Sequence, residues 1–235
     1  MLRKRFRLLA ICGMLIFTAS CHRSSEVRYR ISIDVLDHGR LRSGSSVWSV
    51  TVSKGLNGGY ESKLRGEAII VHLLKGRIYA LLAGRSANDL PTSFDNMSLI
   101  PETLFGDIGR GKAGKLPIHN DRIEDLNAIK LQPGLMRSLD CRVPGAGGDV
   151  CPFFVRFEDS EDVTSIQPLY PEKFEEELGA GVVLKLVRVE ITDDPVSRND
   201  ERDMPPYKSS SDFVRWYGGL SVEDPRRVTQ ENFAQ

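Results

Sequence analysis

Every second residue of Val27-Arg28-Tyr29-Arg30-Ile31-Ser32-Ile33-Asp34-Val35 is apolar, without a break. A period of two puts one set of side chains on a buried face and the other in solvent, so the stretch predicts a half-buried strand. Trp48-Ser49-Val50-Thr51-Val52-Ser53 repeats the pattern, and the polar, glycine-containing residues 37–45 between the two predict a loop. Farther on, Ala68-Ile69-Ile70-Val71-His72-Leu73-Leu74 and Arg77-Ile78-Tyr79-Ala80-Leu81-Leu82-Ala83 flank Lys75-Gly76, the signature of a tight hairpin. Both runs are apolar on both faces, so both are expected in the centre of the fold, with His72 a core residue rather than a ligand.

The middle of the chain is less regular. Residues 98–105 and 121–130 predict short helices, the second because Ile123, Leu126 and Ile129 recur at helical spacing. Phe153-Phe154-Val155-Arg156-Phe157 predicts another strand. Residues 172–178 follow Pro171, carry acids in their first turn and stop at Gly179, as a short capped helix would. Residues 182–192 predict the longest strand. Its apolar parity changes partway, from Val182, Leu184 and Leu186 to Val187, Val189 and Ile191, which calls for a bulge or a change of packing partner. Residues 193–211 are acidic and proline-containing, the composition of a loop. Ser211-Asp212 then resembles an N-cap for a short helix over Phe213-Val214-Arg215-Trp216-Tyr217, stopped by Gly218-Gly219. The expected fold is mainly β with a few short helices, an antiparallel sheet or sandwich, with an α+β arrangement as the alternative. No internal repeat or clean linker divides the 235 residues, which fit one domain.

The first twenty residues stand apart from that domain. Arg3, Lys4, Arg5 and Arg7 precede the apolar run Leu8-Leu9-Ala10-Ile11-Cys12-Gly13-Met14-Leu15-Ile16-Phe17. At about ten residues the run is half of what a bilayer-spanning helix needs, and the order of parts is that of a secretory signal. Thr18-Ala19-Ser20-Cys21 follows and resembles the lipobox of bacterial lipoproteins, although that family usually has an aliphatic residue where Thr18 stands. The resemblance implies that Cys21 is acylated and becomes the new N-terminus. Ordinary cleavage near Ala19, leaving Cys21 unmodified, is the alternative. His22 is not the Asp that often marks inner-membrane retention, so the resemblance implies an outer-membrane lipoprotein facing the periplasm. The expected organisation is a signal peptide over 1–20, a lipidated tether over 21–26 and a single β-rich envelope domain over 27–235. Tyr29-Arg30-Ile31-Ser32-Ile33, Arg42-Ser43-Gly44-Ser45-Ser46-Val47, Arg65-Gly66-Glu67-Ala68, Phe154-Val155-Arg156-Phe157-Glu158-Asp159 and Val189-Glu190-Ile191-Thr192-Asp193-Asp194-Pro195-Val196 are together similar to an uncharacterised proteobacterial envelope protein family. That similarity implies a shared fold and nothing about chemistry.

Composition adds two points. The formal charge of zero includes four cations of the signal; without them 28 basic side chains face 32 acidic ones, and nothing favours nucleic acid. With Cys12 in the signal and Cys21 lipidated, Cys141 and Cys151 remain, separated by a turn-rich segment. In an oxidising envelope they are expected to form a disulfide, worth roughly 2–3 kcal/mol in the chain-entropy account. Two ligands of a metal site are the rival reading, without a nearby His to join them.

No catalytic constellation is complete. Gly109-Arg110-Gly111-Lys112-Ala113-Gly114-Lys115 has phosphate-loop spacing, but Leu116 replaces the hydroxyl residue and Pro117 follows. Ser43-Gly44-Ser45-Ser46 lacks the frame of a nucleophile elbow. The four histidines, His22, His38, His72 and His119, are dispersed, and His38 beside Asp37 reads first as a loop decoration and only second as an acid–base candidate. Asp193-Asp194 with Asn199, Asp200, Glu201 and Asp203 lacks calcium-loop spacing. Phe213, Trp216 and Tyr217 form an aromatic cluster at helical spacing, read either as core or as a platform for an envelope protein or glycan. No cofactor or metal is expected. The leading expectation is a lipid-anchored, non-catalytic binding or scaffolding module, held to the membrane through Cys21. The alternatives are an envelope hydrolase with a site assembled from distant residues, and an assembly or secretion accessory.

Overall fold

Nine strands pair into two antiparallel sheets in a computed structural model that describes residues 23–55, 57–108, 121–142, 150–198 and 211–235. The first sheet has the order β3-β2-β1-β9-β6, from β1 (Ser24–Asp37), β2 (Arg40–Lys54), β3 (Tyr60–Arg65), β6 (Met136–Leu139) and β9 (Val182–Ile191). The second has the order β4-β5-β7-β8, from β4 (Ile69–His72), β5 (Arg77–Gly84), β7 (Pro152–Phe157) and β8 (Ile166–Leu169). The fold is therefore mainly β, as the alternations predict. Five short helices accompany the sheets among the described residues: α1 (Phe94–Met97), α2 (Ile100–Phe105), α3 (Arg122–Ile129), α4 (Phe174–Leu178) and α5 (Ser211–Gly219).

β1 and β2 pair without interruption from Ser24↔Ser53 to Asp37↔Arg40. The loop expected over 37–45 is instead a two-residue turn, His38-Gly39, and residues 40–45 are strand. The turn has φ of 49° and 81°, the two positive values that a twist-matched hairpin turn needs. Composition misled here because Arg40–Ser45 extends beyond the deepest core, where polar side chains cost nothing. Gly44 within it is a steric requirement: an added Cβ would lie 2.2 Å from the Ile70 carbonyl oxygen, where β2 presses on β4.

β9 carries the predicted irregularity. Asp34 pairs with Leu186 and Val35 with Leu184, so Lys185 is the extra residue of a bulge. The bulge keeps Val182, Leu184, Val187, Val189 and Ile191 all buried and leaves Lys185 exposed. β9 is not the longest strand, since β1 and β2 have 14 and 15 residues. The β4–β5 hairpin forms with its turn centred on Leu74-Lys75, but only β5 is central. β4 is an edge strand, and His72 is exposed rather than in the core. Four residues near a hairpin end cannot bury both faces, whatever their hydropathy.

The helices follow their predicted places with shifted ends. Residues 98–105 contribute only α2, which α1 precedes as a separate turn. α3 starts after Asp121, whose carboxylate accepts the Ile123 N–H at 3.1 Å, and buries Ile123, Leu126 and Ile129. A 3-10 turn over Pro171–Lys173 leads into α4, and Gly179 follows at φ 113°. Residues 193–198 do not hang free: Ser197 bonds Val47 through N–H to carbonyl (3.0 Å) and through its hydroxyl oxygen to the Val47 N–H (2.8 Å).

Two cores result. Between the sheets, Val27, Tyr29, Ile31, Ile33 and Val35 of β1 and Trp48, Val50 and Val52 of β2 meet Ile69, Val71, Ile78, Ala80, Leu82 and Phe154. The opposite face of the second sheet, with Tyr79, Leu81, Phe153 and Val155, is covered by the C-terminal segment through Val228 and Phe233. Main-chain bonds fasten that segment: Gly66 and Gln235 exchange N–H to carbonyl bonds at 3.2 and 3.0 Å, and Ala68 N–H donates to Phe233 at 2.6 Å.

Because the Ile70 backbone cannot yield, Gly44→Ala is expected to lower unfolding free energy by about 3 kcal/mol, the upper range for overpacking. Gly218→Ala, with nothing within 4 Å of the new methyl, is expected to be neutral or stabilising by less than about 1 kcal/mol. Urea unfolding of the two variants tests this, and equal effects would contradict the close approach.

Candidate functional site

The structure brings Asp37 and His38 together, as the sequence suggested for an acid–base pair. His38 Nδ1 lies 2.7 Å from Asp37 Oδ1. The carboxylate is almost fully buried, whereas the imidazole is 46% exposed at the tip of the β1–β2 hairpin. Asp37 Oδ2 also accepts the Leu74 N–H at 2.6 Å, and Arg42 Nε stands 3.8 Å away. The hydrogen bond from His38 is the main reason the Asp37 carboxyl is held below its ordinary pKa; the Leu74 N–H and the charges of His38 and Arg42 add to it, against burial. This carboxylate joins the tip of one sheet to the tip of the other. His38, Gly39, Arg40 and Leu41 are all exposed around it, so the imidazole sits on a projection rather than in a walled cleft.

A second polar cluster left little trace in the sequence. Arg85 is only 4% exposed, and it makes a two-pronged contact with Glu172 (2.7 and 2.6 Å) and further bonds to Asp89 (2.9 and 2.6 Å). Its guanidinium lies 4.9 Å over the Tyr170 ring. Burial opposes the cation, but the two carboxylates outweigh burial and raise its pKa. Asp89 adopts φ 62° to reach it. The cluster pins the turn after β5 to the turn before α4. An Arg directly after an apolar run is a weak signal, and its main partner stands 87 positions away.

Cys141 and Cys151 stand in disulfide geometry, with Cα atoms 5.5 Å apart, and both are buried. Cys21 lies outside the described residues, as do the phosphate-loop lookalike at 109–115, His22, His119 and Asn199 to Asp203 of the acidic stretch. Of that stretch, Asp194 pairs with Arg30 on the outer face of β1, and Arg28 donates to the carbonyls of Asp193 and Asp194 at 2.8 and 3.1 Å. Among the described residues no group of three or more His, Cys, Asp or Glu side chains could hold a metal ion.

Phe213, Trp216 and Tyr217 do assemble on α5. Phe213 lies 5.7 Å from Trp216 and 5.8 Å from Tyr217, centroid to centroid, and Arg227 covers Tyr217 at 4.7 Å. All three are half-buried, and Trp216 packs on the second core, while Val214 on the same helix is 62% exposed. The trio is thus partly the packing of α5 and only partly a platform.

A groove of about 520 Å³ lies where β1 begins. Glu26, Arg28, Lys130, Leu131, Pro133, Ile191, Thr192 and Asp193 line it. Sequence reasoning did not find it, because it joins residues from 26 to 193 that only the β1–β9 pairing and the docking of α3 bring together.

Asp37→Asn is expected to cost about 1.5–3 kcal/mol at pH 7, the range for hydrogen bonds to a charged group. The folded-state pKa of Asp37 is depressed, so its contribution is present above the unfolded value, about 3.9, and is lost as pH falls through the folded one. Urea unfolding at pH 7 and in acid should show the gap between wild type and variant closing as pH drops. A gap independent of pH would show that the charge of Asp37 does not hold the two tips.

A scan against protein-family models found no match, and searches of curated proteins and of solved structures found none either.

Proposed function

We propose that this chain is a lipid-anchored envelope protein, acylated at Cys21, whose single β-rich domain binds or scaffolds another envelope component without catalysing a reaction. The observation that carries the reading is the order of basic start, short apolar run and small residues ending in Cys21, directly ahead of a strand that begins at Ser24. No helix of the described residues is long and apolar enough to cross a membrane. The non-catalytic part is supported by where the buried charges are used. Asp37 joins two hairpin tips and Arg85 is occupied by Glu172 and Asp89, so both serve the fold. What supports an outer-membrane address facing the periplasm is His22 after Cys21, where lipoproteins retained at the inner membrane often have Asp.

Intact mass of the protein purified from membranes tests the anchor and the redox state together. Loss of residues 1–20 with a lipid adduct is the expected result, with a gain of about two daltons on reduction as the Cys141–Cys151 bond takes up two hydrogens. An unlipidated chain cut near Ala19 would overturn the anchor, and free thiols at 141 and 151 would overturn the bond.

A further inference from the structure

Ordered pairing reaches almost to the cysteine that carries the proposed anchor. The Arg23 carbonyl accepts the Lys54 N–H at 3.1 Å, and the Arg23 guanidinium bonds Asp121 at 2.9 Å and Glu124 at 3.2 Å. Only His22 then separates fixed backbone from Cys21. Two residues span at most about 7 Å, and the headgroup layer on each side of a bilayer is itself roughly 5–7 Å deep. An anchor this close leaves no gap between lipid and domain, so one part of the surface must rest on the bilayer.

We propose that this part is the end of the sandwich where β1 begins, with the Lys130-Leu131 turn seated in the headgroup layer and the His38-Gly39 tip directed away. The proposal rests on the lipid anchor at Cys21. α3 places the turn: Ser25 donates to Asn127 at 2.8 Å, and Lys130 and Leu131 then border Glu26 and Arg28 across the groove. Leu131 is 73% exposed, and Met136 beyond it is 53% exposed. A leucine next to a lysine suits a bilayer boundary, where the apolar side chain enters and the ammonium stays with the phosphates. Glu26, Glu124 and Asp193 share this end, and Arg28 is taken up by the Asp193 and Asp194 carbonyls. Attraction to anionic lipid is therefore a small contribution; the anchor and apolar insertion provide the contact. β1 runs from this end for 14 residues, about 45 Å at strand rise. Its far tip carries Leu41 and Leu74, exposed by 61% and 56%.

The test uses the full-length lipidated protein in vesicles of phosphatidylethanolamine and phosphatidylglycerol. Leu131→Cys and Leu41→Cys, each labelled with a small fluorophore while the Cys141–Cys151 pair stays oxidised, report contact through quenching by nitroxide-bearing lipid. Both positions are exposed, so far-UV circular dichroism should match wild type. Quenching several-fold stronger at 131 than at 41 is expected, with little change in high salt. Equal quenching would mean that the domain lies flat, stronger quenching at 41 that it leans over onto its far tip, and none at either that it stands clear; each overturns the footprint. The mass of the same sample separates the two ideas, since a chain without the adduct removes the anchor and the footprint with it, whereas a lipidated chain without quenching at 131 removes the footprint alone.

Discussion

β1 lies between β2 and β9, and its inward side chains Val27, Tyr29, Ile31, Ile33 and Val35 are almost completely hidden in the main core, which the second sheet and the helices α1 to α3 complete. Burying such a side chain stabilises the fold by about 1.5–3 kcal/mol, so a slip of one residue in this strand would turn five of them into solvent at once. That constraint sets the rest. It fixes the long register with β2 down to the two-residue turn, and it obliges β9 to bulge at Lys185 so that both of its halves face the same core. It also gives α3 a surface to dock on, through Ile123, Leu126 and Ile129.

Polar groups appear at the margins of this apolar interior, and each is tied to a packing problem. The two sheets approach closely at Gly44 and Ile70, where a side chain has no room. Beyond that contact the hairpin tips would be free to splay, and the Asp37 carboxylate bridges them through His38 and the Leu74 N–H. Arg85 does the same for two turns at the edge of the second core. A buried ion pair of this sort adds little over an apolar replacement, but removing one partner strands the other. The clusters therefore specify geometry more than they add stability.

The direction of β1 gives the molecule two unlike ends. One end carries the start of the strand, the Arg23 ion pairs, α3 and the groove beside Leu131; the other carries two hairpin tips with Leu41 and Leu74 exposed. A lipid at Cys21, as proposed, would keep the end where β1 begins within about 7 Å of the bilayer and leave the far tip about 45 Å along the strand. On the proposed reading the Leu41 and Leu74 tips, together with the half-buried α5 trio, are the surfaces left for a component of the envelope.

The chain itself determined whatever depends on neighbours in sequence. The alternation in 27–35 and 48–53, the apolar runs on either side of residue 75, the parity change in 182–192 and the 3.6-residue recurrence of Ile123, Leu126 and Ile129 each specify an element, because side-chain direction follows from local backbone geometry. The pairing of Cys141 and Cys151 is legible too, because a short turn-rich segment between them lets its ends meet. Tertiary structure alone decided which of those elements is central and which side chains meet. β4 is as apolar as β5 yet lies at an edge with His72 in solvent, and residues 40–45 are strand despite a loop's composition, because β1 supplies every partner they need. Arg85 finds Glu172 across 87 residues, and the groove gathers residues 26 to 193. Such meetings depend on strand order and on the docking of α3, and no local pattern of side chains encodes either.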